Sequence, residues 1–195
     1  MKKIILIIVA FYLSACNSTD EQATTQIPKE KQPTGRVLQY GLYTLVSGGD
    51  VIDDPKTTTG KGVSKPVITR DRTVERIPLV RNKYMAYQYR LSNLPGKGRI
   101  KLRRVLTHPE FKLPDGSRSS GSNFMVTKKL DRGEVIAYDA YALNEDYEMI
   151  EGEWIFQIWY KDKKLLEQKF TTYHPDEKEM AKLTAPSWLD KKHSR

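Results

Sequence analysis

The chain has 195 residues, with 33 Lys and Arg against 24 Asp and Glu for a formal charge of +9, and a single cysteine, Cys16. That length holds one domain with a real hydrophobic core, and one cysteine excludes an intrachain disulfide, so packing alone must hold the fold. The basic balance favours anionic neighbours such as phospholipid headgroups or lipopolysaccharide phosphates, but no basic, aromatic-interleaved stretch suits nucleic acid, and none is expected as a partner.

Lys2 and Lys3 precede an uncharged apolar run from Ile4 to Leu13, which closes in Leu13-Ser14-Ala15-Cys16. A short basic start, an apolar core and small residues before the cut describe a secretory signal over residues 1–15, too short to span a bilayer as a mature helix. The closing four residues resemble the lipobox of bacterial lipoproteins. The resemblance implies cleavage before Cys16, diacylglycerol on its thiol and a palmitate-type acyl group on its new amine, so that the mature protein stays on a membrane. Asn17, where Asp marks inner-membrane retention in the enterobacterial pattern, implies the outer membrane, with the domain in the periplasm. Without Lys2 and Lys3 the mature chain keeps 31 basic residues against 24 acidic ones, a formal +7.

Residues 16–35 are polar and Pro-containing, with Ile27 as the only large apolar residue, and read as a flexible tether of roughly 24 Å end-to-end distance. From residue 36 to 174 the texture changes to period-two alternation, which predicts strands. In Val37 to Val46 the pattern puts Leu38, Tyr40, Leu42 and Val46 on one face. Met85, Tyr87, Tyr89 and Leu91 share another, against Ala86, Gln88 and Arg90, and Ile100, Leu102 and Leu106 follow. Phe124–Leu130 and Val135–Ala142 are further strands. The clearest hairpin joins Trp154, Phe156, Ile158 and Tyr160 to a return strand with Leu166 and Phe170. A three-residue loop, Asp162-Lys163-Lys164, would set Tyr160 opposite Leu166 and Phe156 opposite Phe170. About seven short strands and no long amphipathic helix predict an all-β, immunoglobulin-like antiparallel sandwich, with a small barrel as the alternative. Residues 175–195 read as a short acidic-headed helix followed by a basic tail with Trp188.

Chemistry-bearing patterns are sparse. His108, His174 and His193 have no metal-ligand spacing, and neither a metal nor a cofactor is expected. Gly116-Ser117-Arg118-Ser119-Ser120-Gly121-Ser122 does not fit a nucleophile elbow and reads as a mobile loop. Asp53 with Asp54, His108 with Glu110, Asp115, and Asn144-Glu145-Asp146 could offer oxygen ligands, although turn chemistry accounts for the same residues. Trp159 has the parity opposite to Trp154 and Phe156, which makes it a candidate contact residue on an outer face unless Met180 and Leu183 fold over it.

Tyr40-Gly41-Leu42-Tyr43, Asp53-Asp54-Pro55 before Thr59-Gly60-Lys61, Ile77-Pro78-Leu79, His108-Pro109, Leu113-Pro114-Asp115-Gly116 and the Gly152–Phe156 hairpin with its return to Phe170 occur in this order. This succession resembles the bacterial domain of unknown function 3859. The resemblance runs from Gly35 to about Tyr173 and implies an envelope location with no established activity. The expected role is therefore a non-enzymatic binding or assembly module with an envelope protein partner, using Trp159, Asp53, Asp54, His108, Glu110 or Asp115. Two alternatives are an envelope hydrolase or metal-dependent enzyme in which His108, Glu110, Asp115 and Asp53 converge, and a surface for anionic lipid or lipopolysaccharide.

Overall fold

A computed structural model describes residues 31–184, so Cys16, the signal segment, most of the tether and the tail with Trp188 and His193 lie outside the described residues. Among the described residues no helix is long and apolar enough to cross a membrane. The strands are β1 (Thr34–Ser47), β2 (Asp50–Asp53), β3 (Lys61–Ser64), β4 (Val67–Arg72), β5 (Arg76–Pro78), β6 (Lys83–Ser92), β7 (Gly98–Lys112), β8 (Arg118–Leu130), β9 (Val135–Leu143), β10 (Gly152–Tyr160) and β11 (Lys163–Tyr173), followed by helix α1 (Glu177–Thr184). A sheet of order β4-β1-β6-β9 faces one of order β5-β11-β10-β7-β8, and β2-β3 forms a separate two-stranded arm. With β1, β6 and β9 in the A, B and E positions and β7, β8, β10 and β11 in C, C′, F and G, the sandwich is immunoglobulin-like. All seven strands read from alternation are present. The four others, β2 to β5, hold three to six residues each, too few for a periodicity to show.

The alternation of β6 and β7 is realised as expected: Met85, Tyr87, Tyr89, Leu91 and Leu102 are fully buried and Leu106 nearly so. They meet Trp154, Phe156 and Phe170 from β10 and β11, with Tyr87 and Phe170 both edge-on to Phe156 at 5.6 and 5.8 Å. The indole of Trp154 donates to Thr172 Oγ1 at 3.3 Å, which keeps a buried N–H from being stranded.

Bulges correct three expectations. Between Val37 and Gln39 the β1–β6 register slips, which leaves Leu38 as an extra residue, 38% exposed, and brings Val37 rather than Leu38 to the core with Tyr40 and Leu42. Val46 is likewise the extra residue where the β1–β4 register slips between Leu45 and Ser47, and it is 62% exposed. The β10–β11 hairpin turns on two residues, Lys161 and Asp162, with Lys161 at φ 52°. A slip at Leu165 then sets Trp154 opposite Phe170 and Ile158 opposite Leu166, two residues from the expected pairing. The even parity survives because a shorter loop and one bulge together restore it.

A further bulge bears on function. His108, Pro109 and Glu110 are not in a loop but within β7, near its C-terminal end, where Thr107 pairs with Gly121 and Phe111 with Ser119. Three residues stand against one at this point, which is where a strand tolerates a proline. The serine-rich segment read as a mobile loop is accordingly the start of β8. Gly121 is required there, since a Cβ would lie 2.1 Å from the Leu106 carbonyl oxygen.

β1 begins at Thr34, two residues inside the segment read as tether. Helix α1 is held by the Glu179 carboxylate, which accepts from Tyr173 Oη at 2.8 Å and pairs with Arg72, and Leu183 rests against the main core.

Candidate binding cavity

The sandwich is not closed along its β8–β9 side. β8 and β9 are both terminal strands, and a cavity of about 730 Å³ lies between them, extending over the β9 edge and beneath the β2–β3 arm. Its inner wall comes from Tyr89, Arg104, Leu106, Asp139 and Tyr141, and its outer lip from Tyr84, Tyr138 and Ala140.

Arg104 follows Ile100 and Leu102 on the inward parity of β7, and Asp139 holds the same parity on β9. Each strand thus delivers a charge to the interior, and the two meet across the gap between the sheets. Arg104 Nε donates to both Asp139 oxygens at 2.9 and 2.8 Å, and the side chains are only 10% and 14% exposed. The guanidinium also lies 5.4 Å from the Phe124 ring and 5.7 Å from that of Phe156. Burial alone would lower the arginine's pKa, but the Asp139 charge and hydrogen bonds outweigh it, so Arg104 keeps its charge. Tyr87 Oη donates to Asp139 Oδ2 at 3.3 Å, and Arg104 Nη1 reaches Ser122 Oγ at 3.3 Å. Beside this network the Tyr89 hydroxyl is buried without a hydrogen-bond partner among the described residues. Burial and the Asp139 charge raise its pKa, so it keeps its proton and remains a donor without an acceptor.

At the far wall, buried Glu148 accepts from Tyr141 Oη at 2.7 Å and from the backbone N–H groups of Asn144 and Glu145 at 2.8 and 2.9 Å. Burial pushes its carboxyl up against these bonds, and burial with the Glu148 charge pushes the Tyr141 hydroxyl up as well.

The arm is fastened over the cavity at one point. Thr58, in the turn between β2 and β3, is 7% exposed and bonds through Oγ1 to His108 Nε2 at 2.6 Å and to Ser119 Oγ at 2.5 Å. His108 Nδ1 lies 2.6 Å from the Pro109 carbonyl, an acceptor only, so Nδ1 carries the proton and Nε2 accepts from Thr58. The ring stacks on Phe111 at 4.0 Å and lies 5.0 Å from Trp154, and burial lowers its pKa, which keeps it neutral at pH 7.

The residues singled out by sequence are dispersed by these contacts. Asp53 pairs with Lys61 at 2.6 Å, Glu110 with Arg118, and Asp115 accepts from Ser117 N and Oγ at 2.9 and 2.6 Å, the turn chemistry its context predicts. Asp54 shapes the arm's turn, accepting from Lys56 N at 3.2 Å, and is the one of the six that lines the cavity. The convergence of His108, Glu110, Asp115 and Asp53 required by a hydrolytic or metal centre is not formed: His108 is buried among aromatics, and each carboxylate has a partner of its own. Among the described residues no three His, Cys, Asp or Glu side chains group as a metal site. Trp159 lies on the outer face of the five-stranded sheet. It is covered not by Met180 and Leu183 but by Arg103, whose guanidinium stands 4.4 Å above the ring.

The functional residues missed by sequence reading are Arg104, Asp139, Tyr89, Tyr141 and Glu148. A signal existed for two of them: a charge placed on the apolar parity of an otherwise regular strand, at 104 in β7 and at 139 in β9.

The sequence match that accompanies this architecture runs over residues 31–172. The chain belongs to the family described as Domain of unknown function (DUF3859). The family's span therefore contains both sheets, the arm and the whole cavity. A crystal structure of an immunoglobulin-like protein (PA1606) from Pseudomonas aeruginosa is similar at 20% identity and TM-score 0.48, covering 74% of this chain and 99% of that one. Alkylpurine DNA glycosylase AlkC from Pseudomonas fluorescens is similar at 11% identity and TM-score 0.35, over 51% of this chain and 28% of its own. The β-glucosidase EmGH1 from Erythrobacter marinus is similar at 10% identity and TM-score 0.35, over 69% of this chain and 16% of its own. At these similarities none passes an activity to this family member. No curated protein matches the chain.

Proposed function

We propose that this DUF3859 protein is a non-enzymatic binding module of the bacterial envelope, anchored through lipid on Cys16 at the outer membrane, which takes a periplasmic partner in the cavity between β8 and β9. The observation that carries the reading is the cavity floor: the Arg104–Asp139 salt bridge held in the interior beside a hydroxyl without an acceptor. A purely structural clip between the sheets would gain nothing from an adjoining open volume, and replacing such a pair by apolar residues is often neutral or stabilising. A cavity with a few convergent polar groups is what a binding site requires. The lipobox resemblance and the polar composition of residues 16–35 support the anchored placement.

The test is photo-crosslinking in intact cells from a reactive residue at Tyr138 on the cavity lip, with a second probe at Trp159 and a Cys16→Ala control. A discrete adduct from position 138, lost when the anchor is removed, is the expected result. An adduct from position 159 alone would place the partner on the outer face and overturn the cavity assignment.

A further inference from the structure

The cavity opens beside β9, and this edge differs from the other three edges of the two sheets. β4 carries Arg70, Asp71 and Arg72. β5 is three residues long and ends in Pro78. β8 faces the bulge at His108–Glu110 and carries Arg118, Lys128 and Lys129. Charges, proline, brevity and bulges are the features that keep a sheet edge from pairing with another chain. β9 has only one of them, the charge of Asp139. Its nine residues, Val135–Leu143, run beside β6 without a break in register and include no Lys, Arg or Pro. Asp139 points inward, which would itself guard an edge, but Arg104 neutralises it. Ile136 and Tyr138 stand 53% and 46% exposed on the outer face of the same strand. The arm roofs the cavity, yet β2 pairs with β3 and with no other strand.

Resting on the reading of the cavity as the ligand site, we infer that its occupant is an extended polypeptide segment that adds as a strand to the free edge of β9 and sends an uncharged, acceptor-bearing side chain onto the floor at Tyr89 and Arg104. The backbone argument is one of spacing. A regular strand offers N–H and C=O groups at alternate residues along its edge, and another extended backbone repeats at the same interval and satisfies them in series, apart from the Ala140 N–H, which already donates to Asp139 Oδ1 at 2.9 Å. The side-chain argument is one of charge. Three cations, Lys61, Lys128 and Arg104, stand against four carboxylates, Asp54, Asp139, Glu145 and Glu148, around the cavity, so a phosphate or carboxylate would enter against a net negative lining, and a cation would bring no acceptor for Tyr89. A carbonyl or hydroxyl oxygen, in contrast, gives the Tyr89 hydroxyl the acceptor it lacks. Alternate side chains of an added strand fall on one face, so one of them reaches the floor while its neighbours stay outside.

The experiment pans a display library of random linear twelve-residue peptides against the full mature chain in detergent, with a panel of neutral oligosaccharides in parallel. The expected result is peptide binders that slow amide exchange across residues 135–143. Methylation of their backbone nitrogens at alternate positions should weaken binding at least about tenfold in one parity and little in the other. Ile136→Lys combined with Tyr138→Lys, at two exposed positions where the fold is retained and circular dichroism verifies it, should weaken the same peptides at least about tenfold. Tyr89→Phe should abolish the preference for an acceptor side chain. Peptides indifferent to backbone methylation would overturn the strand addition. Oligosaccharides that bind the native chain but not Tyr89→Phe, with no peptide selected, would also overturn it while leaving the cavity as the ligand site. No ligand from either panel would overturn both.

Discussion

On the β1–β11 side of the sandwich, Leu42, Ile77, Leu166 and Phe170 close the gap between the sheets with apolar and aromatic side chains. On the β8–β9 side, the same two sheets are held by Arg104 and Asp139 at the margin of an open volume. The closed side needs only the hydrophobic effect and close packing, and it tolerates neither a void nor a charge. The open side spends desolvation energy on an ion pair and leaves room beside it. A fold that needed only to be stable would have built both sides alike, so the asymmetry locates the part of the molecule with work beyond folding.

The contrast can be broken most forcefully on the closed side. Phe170→Ala removes a fully buried ring and should cost about 3–5 kcal/mol in urea unfolding, since the neighbouring side chains cannot collapse into the space. On the open side, Arg104→Met leaves Asp139 buried and unpaired and should cost about 3 kcal/mol, the lower end for such a break because the cavity lets water reach the carboxylate. Adding Asp139→Leu should return most of that loss. If the double variant were as unstable as the single one, the pair would be ordinary packing and the contrast between the two sides would vanish.

The smallest effect sharpens the comparison at the arm. Thr58→Val removes the hydroxyl that fastens β2–β3 over the cavity and should cost about 1 kcal/mol, read as faster amide exchange over residues 50–64 with little change in β10 and β11. The same contact depends on pH. Burial holds His108 below its ordinary value of about 6.5 in the folded chain. Below that pH the unfolded chain therefore binds a proton that the folded one refuses. His108 contributes its stability fully above about pH 6.5, and the contribution is lost as the pH falls toward the folded value. Unfolding free energies measured from pH 7.5 to 5 should decline, and His108→Gln should flatten that decline.

Much of the core was legible from residue order. The parity of Met85, Tyr87, Tyr89 and Leu91 and of Trp154, Phe156 and Ile158 named the core directly, because a strand half-buried in a sandwich repeats every second residue. Errors arose where one extra residue entered a strand, at Leu38 and at Leu165, since a bulge reverses or shifts the pairing without changing composition. The candidate site was much less legible. Polar residues in Asp- and Gly-rich connections drew attention, whereas Asp53, Glu110 and Asp115 each meet a near neighbour in sequence, as turn residues do. Arg104 and Asp139 sat unremarked inside strands, and they lie 35 residues apart.

What the sequence determined by itself was the all-β class, the seven longer strands, the faces presented by β6, β7 and β10 and the family, because these follow from local periodicity and the order of short motifs. The tertiary structure alone decided that two inward charges would neutralise each other, that Tyr89 would keep an unmatched donor, that Thr58 would cross to His108 and that β9 would be left as an unguarded edge. Each of these depends on which strands become neighbours across the two sheets, a contact between distant segments that no local pattern encodes.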